Sequence, residues 1–389
     1  MPKGRTVFSQ LLNFFPRYEF DRCVLRYEGN RRVRTFRCED QLLCMIFAQL
    51  TFRESLRDIE ISLRAMRGKL YHIGLRGKVS RSTLADANER RDWRIYADLA
   101  QVLMAQARRL YATDDIGFEW KETVYAFDST TIDLCLSLFP WAKFRKTKAA
   151  VKLHTLLDVR GSIPCFICLT DGKTHDVTVL DELAIESGAY YVMDRGYLDF
   201  RRLCSLAEAG AFFVVRAKKN LQYIRLSSSP VDRSTGVRSD QKIRLRGWKS
   251  SRRYPHALRR ITSFDRDTQK RITLLTNQFD LPAAIIALLY KRRWRIELFF
   301  KWIKQNLRIK AFFGTSMNAV QTQVWTAVCV YLLLLIVKKK MDLPQSLSEI
   351  HTILSIALFQ QVPMQQLFTT SAPPKIKTRR RKLFDVNEI

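Results

Sequence analysis

Residues 150–170 read AVKLHTLLDVRGSIPCFICLT, two apolar runs joined by a turn-forming segment at residues 158–162. The short run TVYAF precedes them and leads directly into Asp128. Runs rich in β-branched and aromatic residues and bounded by Asp, Gly or Ser favour strands. Helical and strand-like segments then alternate: a helical stretch near residues 178–187, AYYVMD, DFRRLCSLAEAG and AFFVVRAK. Three strands followed by helix, strand, helix and strand predict an α/β fold with a mixed sheet covered by helices.

The segment before this core has a helical pattern. QLLCMIFAQLTF and ESLRDIEISLRAM carry apolar residues at spacings of three and four. Glycines at 68, 74 and 77 interrupt the pattern, and Ser82 is placed to cap the next helix. Two short helices around a Gly-bearing turn fit a helix-turn-helix. A plain helical bundle explains the same pattern, so both interpretations stay open.

The segment after the core is polar, basic and rich in strand-like alternation. The run RRITSFDRDTQKRITLLTNQ predicts a hairpin with its turn near residues 265–267, and a helix is predicted over residues 282–307. The sequence therefore predicts five regions: a helical N-terminal domain at 1–117, a core in two parts at 118–217 and 283–345, a β-rich basic insertion at 218–282, and a C-terminal helical region with a basic tail at 346–389.

The charge balance of the 389-residue chain indicates the kind of partner. It carries 67 Lys and Arg against 37 Asp and Glu, a net charge of +30. So positive a chain favours a polyanion, either nucleic acid or an anionic membrane surface. The basic residues are spread along the chain rather than concentrated opposite an apolar helix face, which disfavours membrane-surface binding.

The apolar segments and cysteines bear on the compartment. The longest apolar run, residues 324–337, is shorter than the roughly 20 residues that span a bilayer, so it predicts a buried helix, with a membrane anchor as the alternative. The N-terminus does not have the pattern of a signal peptide. Eight cysteines are scattered, and only Cys165 and Cys168 form a C-x-x-C pair. Reduced thiols and a cytoplasmic location are expected.

Three carboxylates stand out by their context. Asp128 and Asp194 each follow a predicted strand, and Glu297 lies on the helix after the insertion. Side chains at strand ends converge, and clustered carboxylates bind divalent metal. The structural alternatives are turn capping by the aspartates and helical ion pairs of Glu297. Other aspartates compete as ligands: Asp133, Asp158, Asp171 and Asp176.

The helix around Glu297 carries a polar stripe. At 100° per residue, Tyr290, Arg293, Glu297 and Lys304 fall within about 60° of one another. A separate face is apolar: Ile296, Phe299, Phe300, Ile303 and Leu307. Cationic and phenolic groups in such a stripe suit phosphate, and the carboxylate suits metal. In the insertion, Trp248 is either a packed aromatic or a ring that stacks on a base.

These residues together resemble a known family. FDSTTIDL around Asp128, MDRGYLDF around Asp194, TDGKTHD, and the Y-x2-R-x3-E-x6-K pattern from Tyr290 to Lys304 are similar to the bacterial DDE insertion-sequence transposases. The four-residue pattern resembles the Tyr-Arg-Glu-Lys signature for which one large branch of this family is named. The resemblance covers about residues 120–345.

The resemblance implies a ribonuclease H-like core with a β-rich insertion, after an all-helical N-terminal DNA-binding domain at residues 1–117. It implies that Asp128, Asp194 and Glu297 are catalytic and hold two Mg²⁺ ions, with Mn²⁺ able to substitute. It implies DNA contacts from Tyr290, Arg293, Lys304 and Arg195, and stacking of a flipped base on an aromatic residue of the insertion, for which Trp248 and Tyr254 are candidates.

The implied activity is cut-and-paste transposition in the bacterial cytoplasm, close to the nucleoid. The enzyme would bind terminal inverted repeats, cleave the element ends through a hairpin and join the 3′-OH ends to target DNA, with no membrane partner. A homodimer is expected in the DNA-bound synaptic complex. A catalytically inactive DNA-binding relative and another ribonuclease H-like nuclease are the alternatives.

Overall fold

The N-terminal region is helical in the computed structural model, which describes residues 4–145, 148–265, 269–307, 309 and 312–369. Its helices are α1 (Val7–Leu11), α2 (Arg17–Arg26), α3 (Cys38–Leu50), α4 (Leu56–Ala65), α5 (Arg81–Arg90) and α6 (Arg94–Tyr111). The N-terminal cap of α5 is Ser80, whose hydroxyl accepts the Thr83 N–H, so the cap expected at Ser82 was wrong. Ser80 is the cap because its own backbone is extended, as an N-terminal cap requires.

The helix-turn-helix interpretation does not fit α4 and α5. Residues 66–80 separate them, including a 3₁₀ helix at Arg67–Ile73. That connection is much longer than the turn of about three or four residues in a helix-turn-helix. The helical bundle describes this region.

The strands of the described chain form one ten-stranded sheet. They are β1 (Val124–Leu134), β2 (Lys143–Arg145), β3 (Lys148–Asp158), β4 (Ile163–Asp171), β5 (Tyr190–Met193), β6 (Phe212–Arg216), β7 (Tyr223–Ser229), β8 (Val237–Leu245), β9 (Leu258–Asp265) and β10 (Lys270–Thr276). Their order is β2-β3-β1-β5-β6-β10-β9-β8-β7, and β4 pairs with the free side of β3.

The core of this sheet has the ribonuclease H-like arrangement. β1, β3 and β4 form an antiparallel meander. β5 pairs parallel to β1, and β6 pairs parallel to β5. The spatial order β4-β3-β1-β5-β6 confirms the fold class expected from the sequence.

Strand β1 is longer than its sequence pattern indicates. Asp128 was expected to end the strand, but β1 continues to Leu134 because β3 keeps pairing with it as far as Ala149. The parallel pairing with β5 stops at Phe127 and Met193. Asp128 therefore ends only the parallel part of β1.

The basic insertion extends the core sheet. β10 pairs antiparallel with β6, and β9, β8 and β7 follow outward. β9 and β10 are the hairpin expected at residues 259–278, although residues 266–268 of its turn lie outside the described residues. A short helix, α8 (Trp248–Arg253), interrupts the strands.

Helices α7 (Phe200–Glu208), α9 (Ala283–Arg292) and α10 (Trp294–Asn306) cover the sheet. The single helix expected over residues 282–307 is divided at Arg293. The Arg293 N–H bonds the Tyr290 carbonyl, and the Arg293 carbonyl accepts from Ile296. These bonds span three residues instead of four, which tightens the chain locally. The helix expected near residues 178–187 is instead a 3₁₀ segment, Asp176–Glu182.

Helix α11 (Met317–Lys340) is the central helix, followed by α12 (Leu347–Ala357). Its length and composition would allow it to cross a membrane, but its apolar window is wholly buried inside the protein. This confirms the buried helix expected at residues 324–337, which is longer than its apolar run. The basic tail expected from residue 371 lies outside the described residues.

The two faces of the sheet have separate apolar clusters. The first face carries Val124, Ala126, Val192 and Val214, which pack in one cluster with α9, α10, α11 and the N-terminal helices. The second face carries Tyr125, Phe127, Tyr191 and Val215, which pack with α7. Alternation along each strand assigns every other residue to one of these faces.

Candidate active site

Asp128 lies on the first face of the sheet, in phase with Val124 and Ala126. Its carboxylate accepts the Ser129 backbone N–H at 2.8 Å and a hydrogen bond from Arg293 Nη1 at 3.1 Å. Arg293 lies 165 residues further along the chain. The packing of α10 against β1 therefore creates an ion pair between the first and the last parts of the core.

Asp194 follows β5 directly, on the strand next to Asp128. Its side chain accepts the Gly196 backbone N–H and caps a 3₁₀ turn at Arg195–Tyr197. Asp194 therefore does cap a turn, as the structural alternative predicted. This capping does not remove the carboxylate from the site, because Phe127 and Met193 are register partners and the residues that follow them, Asp128 and Asp194, lie side by side.

Glu297 joins the same cluster through Arg293. Arg293 Nη2 donates to Glu297 Oε1 at 2.5 Å, in the i, i+4 ion pair that the sequence allowed. One guanidinium therefore bridges Asp128 and Glu297. The fold brings Asp128, Asp194, Arg293 and Glu297 together from two strands and one helix junction.

The electrostatics of Asp128 reflect this crowding. Burial raises its pKa to about 6, and the charges of Asp194 and Glu297 act in the same direction. The Ser129 N–H and Arg293 oppose this rise but do not cancel it. A carboxyl in such surroundings is stabilised by additional positive charge.

The donor set suits a hard divalent cation. Three carboxylates offer oxygen ligands, and a bound cation would stabilise the charged form of Asp128, whose pKa is raised mainly by burial. In the described ranges, no three His, Cys, Asp or Glu side chains are already grouped closely enough to hold an ion. The Arg293 guanidinium lies between two of the carboxylates, so metal binding requires it to yield or share that position.

Tyr290 and Arg216 extend the cluster on the first face. The Arg293 guanidinium lies 5.8 Å from the centre of the Tyr290 ring. Burial raises the pKa of Tyr290, and the charges of Arg293 and Arg216 oppose the rise. Arg216 ends β6, in phase with Val214, and our sequence reasoning missed it. A basic residue at the end of the third parallel strand was the available signal.

Lys304 and Arg195 occupy the margins of the cluster. Lys304 Nζ donates to the Thr131 carbonyl at 2.8 Å, three residues beyond Asp128 on β1. Arg195 is exposed, directly after Asp194.

The two aromatic candidates of the insertion have different positions. Trp248 is 73% exposed on α8, with the Arg252 guanidinium 5.7 Å from its ring. Tyr254 is buried in the second-face cluster against Phe213. Tyr254 was therefore wrong as a stacking candidate, because its ring is already covered. α8 contacts α7 on the second face, whereas Asp128 lies on the first.

The competing aspartates have other partners. Asp158 is paired with Arg108 at 3.4 Å, and Asp176 with Lys152 at 3.0 Å. Asp171 accepts from Thr174 in a turn. Asp133 is exposed beyond Asp128 on β1. Within the described chain, none of the four contacts Arg293.

Two family models match the chain. Residues 119–333 match the transposase DDE domain, a segment that contains Asp128, Asp194 and Glu297. Residues 3–76 match a domain of unknown function, DUF4372. The first match covers more than half of the chain.

Individual proteins match as well. The transposase y4zB of Sinorhizobium fredii is 35% identical over 305 residues, which cover 77% of this chain and 82% of the relative. The transposase of insertion sequence element IS5377 from Geobacillus stearothermophilus is 34% identical over 215 residues, covering 53% and 54%. Among solved structures, the piggyBac transposase synaptic complex with hairpin DNA aligns with a TM-score of 0.47 at 10% identity, covering 96% of this chain and 84% of that one.

Proposed function

The chain belongs to the DDE transposase family, and we propose that it carries out cut-and-paste transposition of an insertion sequence in the branch with the Tyr-Arg-Glu-Lys signature. Transposases of this family bind DNA and use divalent metal. The proposed substrates are duplexes carrying the terminal inverted repeats of the element, followed by target DNA. The single observation that carries the proposal is the Arg293 bridge, which draws Asp128 and Glu297 together beside Asp194.

We assign Asp128, Asp194 and Glu297 as the metal-binding and catalytic carboxylates. They would hold two Mg²⁺ ions, for which Mn²⁺ can substitute, and the ions would activate the attacking oxygen and stabilise the leaving oxygen. The residues fit this role because they are oxygen donors and because a bound cation would stabilise the charged form of the buried Asp128 carboxyl.

The surrounding side chains position the DNA. Arg293, released from the carboxylates, presents a guanidinium that suits a phosphate in two-point contact. Tyr290 packs against Arg293 and restricts its orientation. Lys304, Arg195 and Arg216 supply further positive charge at the edge of the cluster. Trp248 remains our candidate for stacking on a flipped base, because its ring is exposed.

The proposed reaction has four steps at each element end. Water attacks the phosphodiester at the end of the element, which frees a 3′-OH. That 3′-OH attacks the phosphodiester of the opposite strand, which forms the hairpin and releases the flanking DNA with its own 3′-OH. A second water then hydrolyses the hairpin phosphodiester. The 3′-OH then attacks a target phosphodiester, so that one bond forms as one breaks. Two ends require two active sites, for which we propose a homodimer acting in the bacterial cytoplasm.

A cleavage assay on the element ends tests the proposal. Purified protein is incubated with duplexes carrying the terminal repeats, in Mg²⁺ or EDTA. Glu297→Gln should abolish cleavage while end binding stays within a few-fold of wild type, because the amide is a poor metal ligand. Glu208→Gln, on the exposed side of α7, is the matched control and should cleave normally.

The same assay separates the alternatives. Cleavage by Glu297→Gln at the wild-type rate would remove Glu297 from the site. Binding by wild type without cleavage, in either Mg²⁺ or Mn²⁺, would favour an inactive DNA-binding relative.

A further inference from the structure

A basic surface lies outside the carboxylate cluster, on strands β8, β9 and β10 and the 3₁₀ turn before β8. It is a groove of about 670 Å³ lined by four arginines, Arg233, Arg238, Arg260 and Arg271. The other described residues that line it are serine, threonine and phenylalanine, and they include no carboxylate. A groove of this composition suits an anion with several phosphate groups.

The sheet register places this groove relative to Asp128. Arg260 and Arg271 are in phase with Leu258 and Leu275, which belong to the second-face cluster. The groove is therefore on the face opposite Asp128. Phe127 pairs with Met193, Met193 with Val215, and Val215 with Leu275. Arg271 lies four residues beyond Leu275 in the direction of the carboxyl ends of β1, β5 and β6, so the groove and the carboxylates share one end of the sheet.

Two of the four arginines, Arg238 and Arg260, contact aromatic or amide groups. The Arg238 guanidinium lies 5.6 Å from the Phe264 ring centre, and that of Arg260 lies 5.0 Å from the Tyr223 ring centre. Arg260 also donates to Gln241 at 3.1 Å. Stacked guanidinium groups keep their charge and lose less freedom when they bind phosphate.

We propose that this groove binds the phosphate backbone of the duplex that is cut at the carboxylates, about 4–7 base pairs from the cleaved bond. In the strand order, β10 lies three strands from β1 and β8 lies five strands from β1. At ~4.8 Å per strand spacing, these distances are ~14–24 Å. Dividing them by the ~3.4 Å rise per base pair gives the proposed separation. A duplex that lies across the carboxyl ends of the strands passes both sites. The location of the cut rests on the proposed function, but the binding of duplex DNA by the groove does not.

A binding measurement in EDTA tests the groove without any cleavage. Arg233, Arg238 and Arg271 are exposed, so changing all three to Gln should leave the fold intact. The plot of log affinity against log salt should lose a slope of about 3 in this triple variant, since each phosphate contact contributes about 0.9. The control triple changes Lys121, Lys301 and Lys340 to Gln, which are also exposed and lie outside both the groove and the N-terminal region. It removes the same charge and should keep the wild-type slope.

Neutral phosphates locate the contact. Methylphosphonate is placed at each position within ten base pairs of the terminal nucleotide of the element. Wild type should lose affinity two- to fivefold for substitutions about 4–7 base pairs from the end, and the groove variant should be insensitive there. Equal sensitivity in both proteins, or an unchanged salt slope in the groove variant, would overturn the proposal.

The design separates this inference from the enzymatic proposal. A wild-type protein that binds with the expected slope and phosphate positions but never cleaves in Mg²⁺ would support the groove and contradict the catalytic assignment. Normal cleavage by wild type, together with unchanged DNA binding by the groove variant, would support the catalytic assignment and contradict the groove proposal.

Discussion

At the scale of single residues, Arg293 controls the electrostatics of the candidate site. Its guanidinium forms ion pairs with both Asp128 and Glu297, with Asp194 nearby. Three carboxylates without a cation would repel one another and any phosphate. Arg293 therefore lets the protein fold with a carboxylate cluster before metal and DNA arrive. Under the proposed function, the release of Arg293 is coupled to the binding of metal and DNA.

The pKa of Asp128 gives a pH-dependent prediction. Its folded pKa of about 6 is above the unfolded value of 3.8, so the native state holds the proton more strongly. The stability contributed by this proton is fully present below pH 3.8 and is lost as the pH rises through 6. In EDTA, wild type should lose about 1 kcal/mol more than Asp128→Asn between pH 5 and pH 7.5. Urea unfolding of both proteins at the two pH values measures the difference.

The comparison needs a control on the same strand. Asp133 is exposed on β1, and Asp133→Asn should follow wild type at both pH values. A stability difference between wild type and Asp128→Asn that is the same at pH 5 and pH 7.5 would contradict the raised pKa. Adding Mg²⁺ should stabilise wild type more than Asp128→Asn, because the metal binds the native carboxylates.

At the scale of elements, the junction of α10 with β1 completes the candidate site. α9 and α10 meet at Arg293, and further along α10 the Lys304 ammonium group bonds the Thr131 carbonyl of β1. The polar stripe from Tyr290 to Lys304 was predicted from an unbroken helix. The tight turn at Arg293 preserves the helical direction, since its φ and ψ of −50° and −32° remain helical. The stripe therefore survives the division.

Lys304 provides the prediction at this scale. Lys304→Ala removes both a positive charge and the link to β1, so we expect end cleavage to fall about tenfold, the equivalent of about 1.4 kcal/mol. Stabilisation by Mg²⁺ should remain, because the carboxylates are unchanged. Gel analysis of nicked and hairpin products, with melting curves in Mg²⁺ and EDTA, measures both effects.

Lys301 is the matched control on the same helix. It is exposed, and Lys301→Ala should cleave as wild type does. Wild-type amounts of hairpin from Lys304→Ala would exclude the assigned role of Lys304 in holding DNA.

Several elements were predictable because their patterns are local. The apolar face of α10 and the strands at 150–170 follow from periodicity alone. The end of β1 could not be predicted, because the strand is extended beyond Asp128 by its pairing with β3. The contact of Arg293 with Asp128 was not predicted either, since it requires the sheet to be assembled. Arg216 was missed because its relevance depends on which strand lies next to β5.

At the scale of the whole molecule, one apolar cluster joins regions that the sequence separates. The N-terminal helices, α11 and α12 share it with the first face of the sheet. The Tyr111 hydroxyl donates to the Leu335 carbonyl at 2.9 Å, and the Trp93 and Trp325 rings are stacked 6.5 Å apart. Composition distinguishes these regions along the chain, but packing across more than 200 residues cannot be inferred from local patterns.

The boundary at residue 117 therefore should not define an independent folding unit. In a fragment of residues 1–117, the buried face of α6, including Tyr96, Leu99 and Leu103, loses its contact with α11. Exposed apolar surface of this kind gives a loosely packed state that binds hydrophobic dyes. We expect the fragment to bind the dye ANS and to melt broadly, whereas the full chain melts in one cooperative transition with N-terminal and core probes coinciding. A sharp transition of the isolated fragment, without dye binding, would show that the N-terminal helices form their own domain and that α11 only docks against them.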